Sequence, residues 1–115
     1  MNQPKDEKYL IETKERNGER VVKTRIAFDV DGTLIKKTAN GDVPRYEIIQ
    51  MLRTLVAAGH IVFVWSGGGV DYAESWARKL GLLPDVRVIA KSSSYGIQLA
   101  FDDEDLTIAE VTVRV

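Results

Sequence analysis

Cysteine is absent from this sequence, histidine occurs once, and no apolar run approaches the ~20 residues that a membrane-spanning helix needs. The lack of cysteine excludes disulfides, thiolate metal sites and a cysteine nucleophile. The first residues, MNQPKDEKYL, are polar and lack the apolar core of a signal peptide. We therefore predict a cytoplasmic protein with no membrane partner.

An excess of charge of one sign is also missing. The chain has 16 Lys and Arg against 17 Asp and Glu, so its net charge of -1 gives no indication of a nucleic-acid or membrane-surface binder. Its 115 residues suit one domain, which we place at residues 1–115. Within it, residues 1–8 are predicted to be flexible. Any specificity must come from a local site.

Alternating strand and helix patterns follow the polar start. Asn17-Gly18 predicts a β-hairpin over residues 9–23, whose second arm runs on into the buried strand RIAFDV. KKTANGD is interpreted as a polar turn, with Pro44 in the first turn of a helix that stops near Gly59. HIVFVWS is the second strand. A capping box of Asp71 and Glu74 opens a second helix, and VRVIAK, IQLAFDD and IAEVTVRV are three further strands, the last at a sheet edge.

This order predicts an α/β fold, a three-layer Rossmann-like arrangement with a mostly parallel sheet and right-handed crossovers. Polar side chains end four of the predicted strands, and ligands of open α/β sheets bind beyond those carboxyl ends. These side chains are Asp29 and Asp31, Ser66, Lys91, and Asp102 with Asp103. His60 precedes its strand, so we expect it at the opposite edge and not as a base.

The chemistry of this set points to a phosphate and a metal ion. Two carboxylates as close as Asp29 and Asp31 repel each other, so a cation is expected between them and Asp102 or Asp103. Oxygen ligands without Cys or His favour Mg²⁺. Ser66 and Lys91 can hold a phosphoryl group. The backbone N–H groups of three glycines can approach the same anion; these are Gly32, Gly67 and Gly68.

The motifs resemble those of the haloacid dehalogenase superfamily. DVDGTL is similar to its first motif, VWSGG to its second, Lys91 to its third and AFDDED to its fourth, over about Arg25 to Asp105. The resemblance implies strand order 5-4-1-2-3 and a Mg²⁺-dependent phosphatase, a phosphoric monoester hydrolase. It also implies that Asp29 is a nucleophile forming an aspartyl-phosphate.

The resemblance implies roles for the other residues as well. Asp31 would protonate the leaving oxygen and then activate water, with Thr33 helping to position it. Ser66 and Lys91 would bind the phosphoryl group, and Thr33 would belong to the same phosphate-binding set. Asp102, supported by Asp103, would complete the Mg²⁺ shell with Asp29 and the main-chain carbonyl of Asp31. Because halide loss needs no proton, a second aspartate favours ester hydrolysis.

The chain departs from the superfamily pattern in two ways. Cap domains are usual there, but residues 36–43 and 70–85 leave room only for a short turn and a single helix with its loop. We therefore predict a capless site, for a bulky phosphorylated substrate such as a macromolecule end, or with a cap lent by another subunit of a homo-oligomer. The link from Lys91 to the fourth strand is also too short for the usual crossover helix. Either it crosses as an extended loop, leaving one face thinly covered, or the fourth strand pairs differently.

Two other classes of function are also weighed. One is a non-catalytic scaffold or assembly module that kept the fold. The other, less favoured, is a receiver-like phosphoacceptor domain, which resembles this site in its residue types but places its acidic pair first and its acceptor aspartate later. Here the DxD pattern at Asp29 comes first and the pair at Asp102 last.

Overall fold

The structure is a computed structural model that describes residues 12–16 and 19–115. Its helices are α1 (Tyr46–Ala57) and α2 (Val70–Lys79), and a short 3₁₀ turn covers Ser93–Tyr95. Its strands are β1 (Glu12–Arg16), β2 (Glu19–Lys23), β3 (Arg25–Asp29), β4 (Ile35–Thr38), β5 (Gly41–Pro44), β6 (Ile61–Trp65), β7 (Arg87–Val88), β8 (Leu99–Asp102) and β9 (Val111–Arg114).

Five strands form one parallel sheet in the order β7-β6-β3-β8-β9. The five strands of this sheet can be numbered by their order in the chain, from β3 as strand 1 to β9 as strand 5. Read from the β9 edge, their spatial order is then the expected 5-4-1-2-3. The central strand β3 is apolar and buried on both faces, as its β-branched and aromatic residues predict. Strand β9 lies at the sheet edge as predicted, but its valines Val111 and Val113 are 56% and 36% exposed, so the predicted division into one wet and one buried face is not observed. The α/β class and the parallel sheet are therefore confirmed.

Both helices pack on the same face of the sheet. Ile26 and Phe28 of β3 lie in one core cluster with the buried residues of α1 and α2, whereas Ala27 and Phe63 point to the opposite face. The chain moves from β3 to β6 to β7 in one direction, so crossovers of one hand leave both helices on one side. Irregular chain covers the other face through Tyr95, Leu106, Ile108 and Ala109.

The predicted three-layer arrangement is corrected by this packing, because the third layer contains no α-helix among the described residues. The link from β7 to β8 crosses that face with only the 3₁₀ turn as regular structure, and β8 then pairs in parallel with β3. Of the two alternatives for this link, the thinly covered face is the one observed.

Residues 35–44 form a β-hairpin, so the prediction of a short polar turn is wrong. Strands β4 and β5 pair antiparallel, with Lys37 opposite Asp42. Gly41, at a φ of +110°, makes the reversal, a conformation that side chains other than glycine rarely adopt. Pro44 ends β5 and does not enter the helix, which begins at Tyr46. Within the turn, Thr38 Oγ1 donates to the Gly41 carbonyl at 2.6 Å and accepts the Asn40 amide at 3.2 Å, which stabilises the hairpin.

The N-terminal strands β1 and β2 form a separate antiparallel pair, with Arg16 opposite Glu19. This confirms the strands of the predicted hairpin, while residues 1–11, including the segment predicted to be flexible, and the turn at 17–18 lie outside the described residues. Thr24 separates β2 from β3, so the arm and the central strand belong to different sheets. The Thr24 amide donates to His60 Nδ1 at 3.1 Å, which places His60 at the amino-terminal edge as predicted.

The second helix begins earlier than its capping-box signal indicates. Gly69 is the N-cap residue and no side chain caps the helix, so Asp71 lies inside the first turn. The capping-box prediction is therefore wrong. The predicted apolar face is nevertheless present, since Tyr72 and Trp76 pack against the core that the buried Ala73 and Ala77 enter.

Candidate functional site

An open depression lies at the carboxyl ends of the parallel strands. Asp29 is the last residue of β3, Asp102 is the last of β8, and Ser66 directly follows β6. Because these strands run parallel, their carboxyl ends meet at one edge. The depression is lined by Asp29, Asp31, Ser66, Gly67, Gly68, Lys91, Asp102, Asp103 and Glu104. Four separate chain segments thus converge as the sequence predicts.

Asp29, Lys91 and Asp102 form what we call the inner wall of the depression. Lys91 Nζ donates to Asp29 Oδ1 at 3.1 Å and to Asp102 Oδ2 at 2.8 Å. The side chains of Asp29 and Asp102 are only 8% and 1% exposed. Asp102 Oδ1 also accepts the Glu104 amide at 2.9 Å, so both its oxygens are engaged. One ammonium therefore holds two buried carboxylates in place.

Burial sets the protonation of this wall. Desolvation raises the pKa of Asp29 from 3.8 to about 6, against the opposing effect of Lys91 and with a further contribution from Asp102. Burial alone would lower the pKa of Lys91, but its hydrogen bond to Asp102 and the charge of Asp29 raise it overall. Lys91 is therefore a fixed positive charge at neutral pH.

Three carboxylates lie close enough to share a cation. Asp29, Asp102 and Asp103 each offer an oxygen within 4.8 Å of the others. With Lys91 as their ionic partner, the ionised group keeps two uncompensated negative charges. Such a set of hard oxygen donors fits a divalent ion such as Mg²⁺. Burial and a hydrogen bond with Asp102 raise the pKa of Asp103, as expected when carboxylates crowd together.

Because Gly32 has no side chain, the Asp103 carboxylate can occupy the space next to it. Its φ is +81°, and a Cβ at this position would overlap the Asp103 carboxylate. Its amide donates to the Ile35 carbonyl at 2.8 Å and is not directed at a ligand. The prediction that Gly32 binds phosphate through this amide is therefore corrected: it admits a third carboxylate.

Thr33 is also placed differently from the prediction. Its side chain is fully buried, and its hydroxyl has no hydrogen-bond partner among residues 12–16 and 19–115. It does not line the depression, and it makes no hydrogen bond to the Asp31 carboxylate. The predicted phosphate-binding and positioning roles of the Thr33 side chain have no support in this geometry, because the turn after β3 points that side chain into the core.

Asp31, Tyr72 and Lys37 form what we call the rim. Tyr72 Oη donates to Asp31 Oδ1 at 2.6 Å, and Lys37 Nζ lies 3.8 Å from the same oxygen. The Asp31 side chain is 47% exposed, unlike that of Asp29. Its carboxylate is not one of the three that could share a cation. The metal contact predicted for its main-chain carbonyl stays a prediction.

Ser66 and the glycines after it form the third side of the depression. Ser66 Oγ accepts the Gly68 amide at 2.9 Å, and its carbonyl accepts the Gly69 amide at 3.1 Å. The hydroxyl hydrogen has no acceptor in the part of the chain that the structure describes, so it can be donated to a ligand. Gly67 is exposed, with open space where a Cβ would be. Both residues line the depression, and their phosphate-binding role stays a prediction.

Tyr72 and Lys37 are the site residues that the sequence did not reveal. Tyr72 reads as one position of an apolar helix face, and Lys37 as half of a solvated lysine pair. One signal was available for Tyr72: it lies in the first turn of a helix that follows the glycine loop directly, so it faces the same edge of the sheet.

Comparison of the chain with family models, with curated proteins and with solved structures returned no match. Neither helix among the described residues has the length and apolar character of a membrane span. The function must therefore be argued from the geometry and chemistry of the depression.

Proposed function

We propose that this chain is a Mg²⁺-dependent phosphohydrolase of the haloacid dehalogenase type, with Asp29 as its nucleophile. The observation that carries the proposal is the inner wall. Asp29 is buried beside Lys91 at the carboxyl end of the central strand, in a depression with a free hydroxyl donor, Ser66. A nucleophile, a fixed cation and a hydrogen-bond donor to phosphate in one place suit phosphoryl transfer.

Asp29 can attack through the oxygen that Lys91 leaves free. Lys91 contacts Oδ1, and Oδ2 accepts no hydrogen bond from any described residue. Attack by Oδ2 on phosphorus forms an acyl-phosphate bond and breaks the ester P–O bond. The leaving oxygen takes a proton from Asp31 and departs as the alcohol. Atoms and charge balance, because Asp31 becomes a carboxylate as the alcohol is released.

The second half-reaction restores both aspartates. Asp31 accepts a proton from a water molecule that attacks the phosphorus of the aspartyl-phosphate. Inorganic phosphate leaves and Asp29 is again a free carboxylate. One group at the rim therefore serves as acid and then as base, which separates proton transfer from nucleophilic attack.

Lys91 and Ser66 stabilise the transferred group during both steps. Lys91 supplies a positive charge without reorganisation, since two carboxylates already hold it. Ser66 can donate its hydroxyl hydrogen to a phosphoryl oxygen. Asp29, Asp102 and Asp103 would hold Mg²⁺, which when bound neutralises negative charge on the phosphoryl oxygens.

The substrate is proposed by class only. The depression is open and no cap domain covers it in residues 12–16 and 19–115. An open site suits a phosphate on a bulky molecule, such as a macromolecule end, or a site completed by a second subunit. A cytoplasmic location is part of the same proposal.

The test compares the wild type with Asp29→Asn on generic phosphate monoesters in Mg²⁺. We expect hydrolysis by the wild type and a loss of at least about 10³-fold in Asp29→Asn, because the amide cannot form the intermediate. Asp105→Asn is the matched control, since the Asp105 side chain is 81% exposed and pairs with the exposed Arg114.

Adduct formation separates an enzyme from a scaffold. Beryllofluoride with Mg²⁺ should bind the wild type at Asp29 and not bind Asp29→Asn. If no monoester is hydrolysed and no adduct forms at Asp29, the proposal is wrong and a non-catalytic module becomes the better interpretation.

A further inference from the structure

We propose that Tyr72 is a positioning residue that directs the proton of Asp31 toward the leaving group. This inference rests on the proposed phosphohydrolase function and adds to it a residue from outside the four motifs. Tyr72 lies on α2, 41 residues from Asp31 along the chain, yet its hydroxyl donates to Asp31 Oδ1 at 2.6 Å.

Both rim contacts fall on the same oxygen of Asp31. Tyr72 Oη and Lys37 Nζ each approach Oδ1, whereas Oδ2 accepts no hydrogen bond from the described residues. An oxygen that already accepts from a hydroxyl and faces an ammonium is a poor place for an acidic proton. The proton of the neutral carboxyl therefore resides on Oδ2. That oxygen is the one left free to meet the leaving group.

Tyr72 is the stronger of the two partners. The Lys37 contact is long, at 3.8 Å, its side chain is 59% exposed, and it is shared with Asp42 at 3.6 Å. Exposed ion pairs of this kind have little effect because solvent screens them. The Tyr72 hydrogen bond is short and directional, so it can fix the orientation of the carboxyl.

The ring of Tyr72 is itself held in place. A Cβ at Gly68 would lie 3.2 Å from Tyr72 Cδ2 and 3.4 Å from Cγ, so the ring rests close to the backbone of the glycine loop. Ser66, which anchors that loop, lines the depression. The phosphate-binding loop and the residue that orients Asp31 therefore form one packed unit at the start of α2.

The test is Tyr72→Phe, which removes the hydroxyl and keeps the ring. The kcat/KM value is measured for p-nitrophenyl phosphate, whose phenolate leaves readily, and for an alkyl phosphate, whose alkoxide needs a proton. This parameter reports on steps up to departure of the leaving group. We expect a loss of about 30-fold on the alkyl ester, below the ~10²–10⁴ that a general acid contributes because Asp31 itself is kept, and less than about threefold on the aryl ester.

Two further variants are compared with Tyr72→Phe, one that removes the acid and one that serves as a control. Asp31→Asn should show the same preference for the aryl ester to a greater degree, because it removes the acid. Tyr46→Phe is the matched control, since Tyr46 is 72% exposed and does not line the depression, and it should change neither value. The ratio of the two kcat/KM values in one preparation does not depend on the folded fraction, so partial misfolding cannot mimic the result.

Three outcomes would contradict the inference. An equal loss on both esters would show that Tyr72 has only a structural role, and no loss on either would show that the hydrogen bond is irrelevant to proton transfer. A wild type that hydrolyses neither ester and forms no beryllofluoride adduct at Asp29 would contradict the proposed function and this inference with it. Wild-type activity without a leaving-group-dependent loss would contradict the inference alone.

Discussion

The inner wall and the rim each contain an aspartate near a lysine, yet the two arrangements differ in kind. On the inner wall, Lys91 is 19% exposed and contacts two buried carboxylates at 3.1 and 2.8 Å. On the rim, Lys37 is 59% exposed and lies 3.8 Å from Asp31. Burial makes the first set of charges depend on one another, whereas solvent leaves the second set nearly independent. An aspartate–lysine contact can therefore stabilise the folded chain when it is buried, as on the inner wall, and have little effect on stability when it is exposed, as on the rim.

The largest expected effect comes from removing the lysine of the inner wall. Lys91→Met leaves Asp29 and Asp102 buried without their cation, and we expect the free energy of unfolding to fall by about 3–5 kcal/mol in metal-free buffer. Urea denaturation with a chelator present measures this. Lys37→Met is the matched control at the rim and should change stability little. Equal losses in the two variants would remove the distinction between the two regions.

A smaller effect is expected from the titration of Asp29. Its pKa is about 6 in the folded chain against 3.8 when unfolded, so the folded state binds more protons between these values. Stability contributed by this group is complete below about pH 4 and is lost as pH rises through 6. The loss amounts to about 3 kcal/mol for a shift of this size, and part of it should be offset by relaxation of the site.

The measurement is the difference in unfolding free energy between the wild type and Asp29→Asn, followed from pH 4 to pH 8 without metal. The wild type should lose stability relative to the variant as pH rises, because only the wild type acquires a buried charge. A difference that stays constant over this range would show that Asp29 is not desolvated, and the inner wall would then resemble the rim.

The smallest effect is expected at Thr33, which belongs to neither region. Its buried hydroxyl has no partner in the described part of the chain, so Thr33→Val should leave activity unchanged and raise the unfolding free energy by about 1 kcal/mol or less. Thr112→Val is the control, because the Thr112 hydroxyl exchanges hydrogen bonds with the Leu106 backbone and its loss should destabilise the chain. A fall in phosphatase activity for Thr33→Val would restore the positioning role that the resemblance implies.

The inner wall could be predicted from the sequence because simple rules place its members. Asp29 and Asp102 each follow an apolar run, and the ends of parallel strands must share one edge of the sheet. Lys91 lies just beyond the short β7 and reaches the same edge. These positions depend on strand periodicity and topology, not on the details of side-chain packing.

The rim could not be predicted in the same way. Its geometry depends on where α2 begins, and the capping-box signal at Asp71 indicated a different start from the Gly69 cap that is observed. It also depends on the hairpin at residues 35–44, whose polar residues gave no strand periodicity. A one-residue change in either element would turn Tyr72 or Lys37 away from Asp31. Such registers are decided by tertiary packing.

The link across the helix-free face has a consequence for the site. Residues 89–98 carry Lys91, and they also bury Ile89 and Ile97 against the back of the sheet. Its only regular structure is a single 3₁₀ turn, and it is joined to the sheet by hydrogen bonds such as that from Arg25 Nε to the Tyr95 carbonyl at 2.8 Å. Segments of this kind open locally more easily than packed helices. Local opening of this segment would move Lys91 away from both carboxylates, so the charge balance of the depression depends on the thinnest layer of the fold.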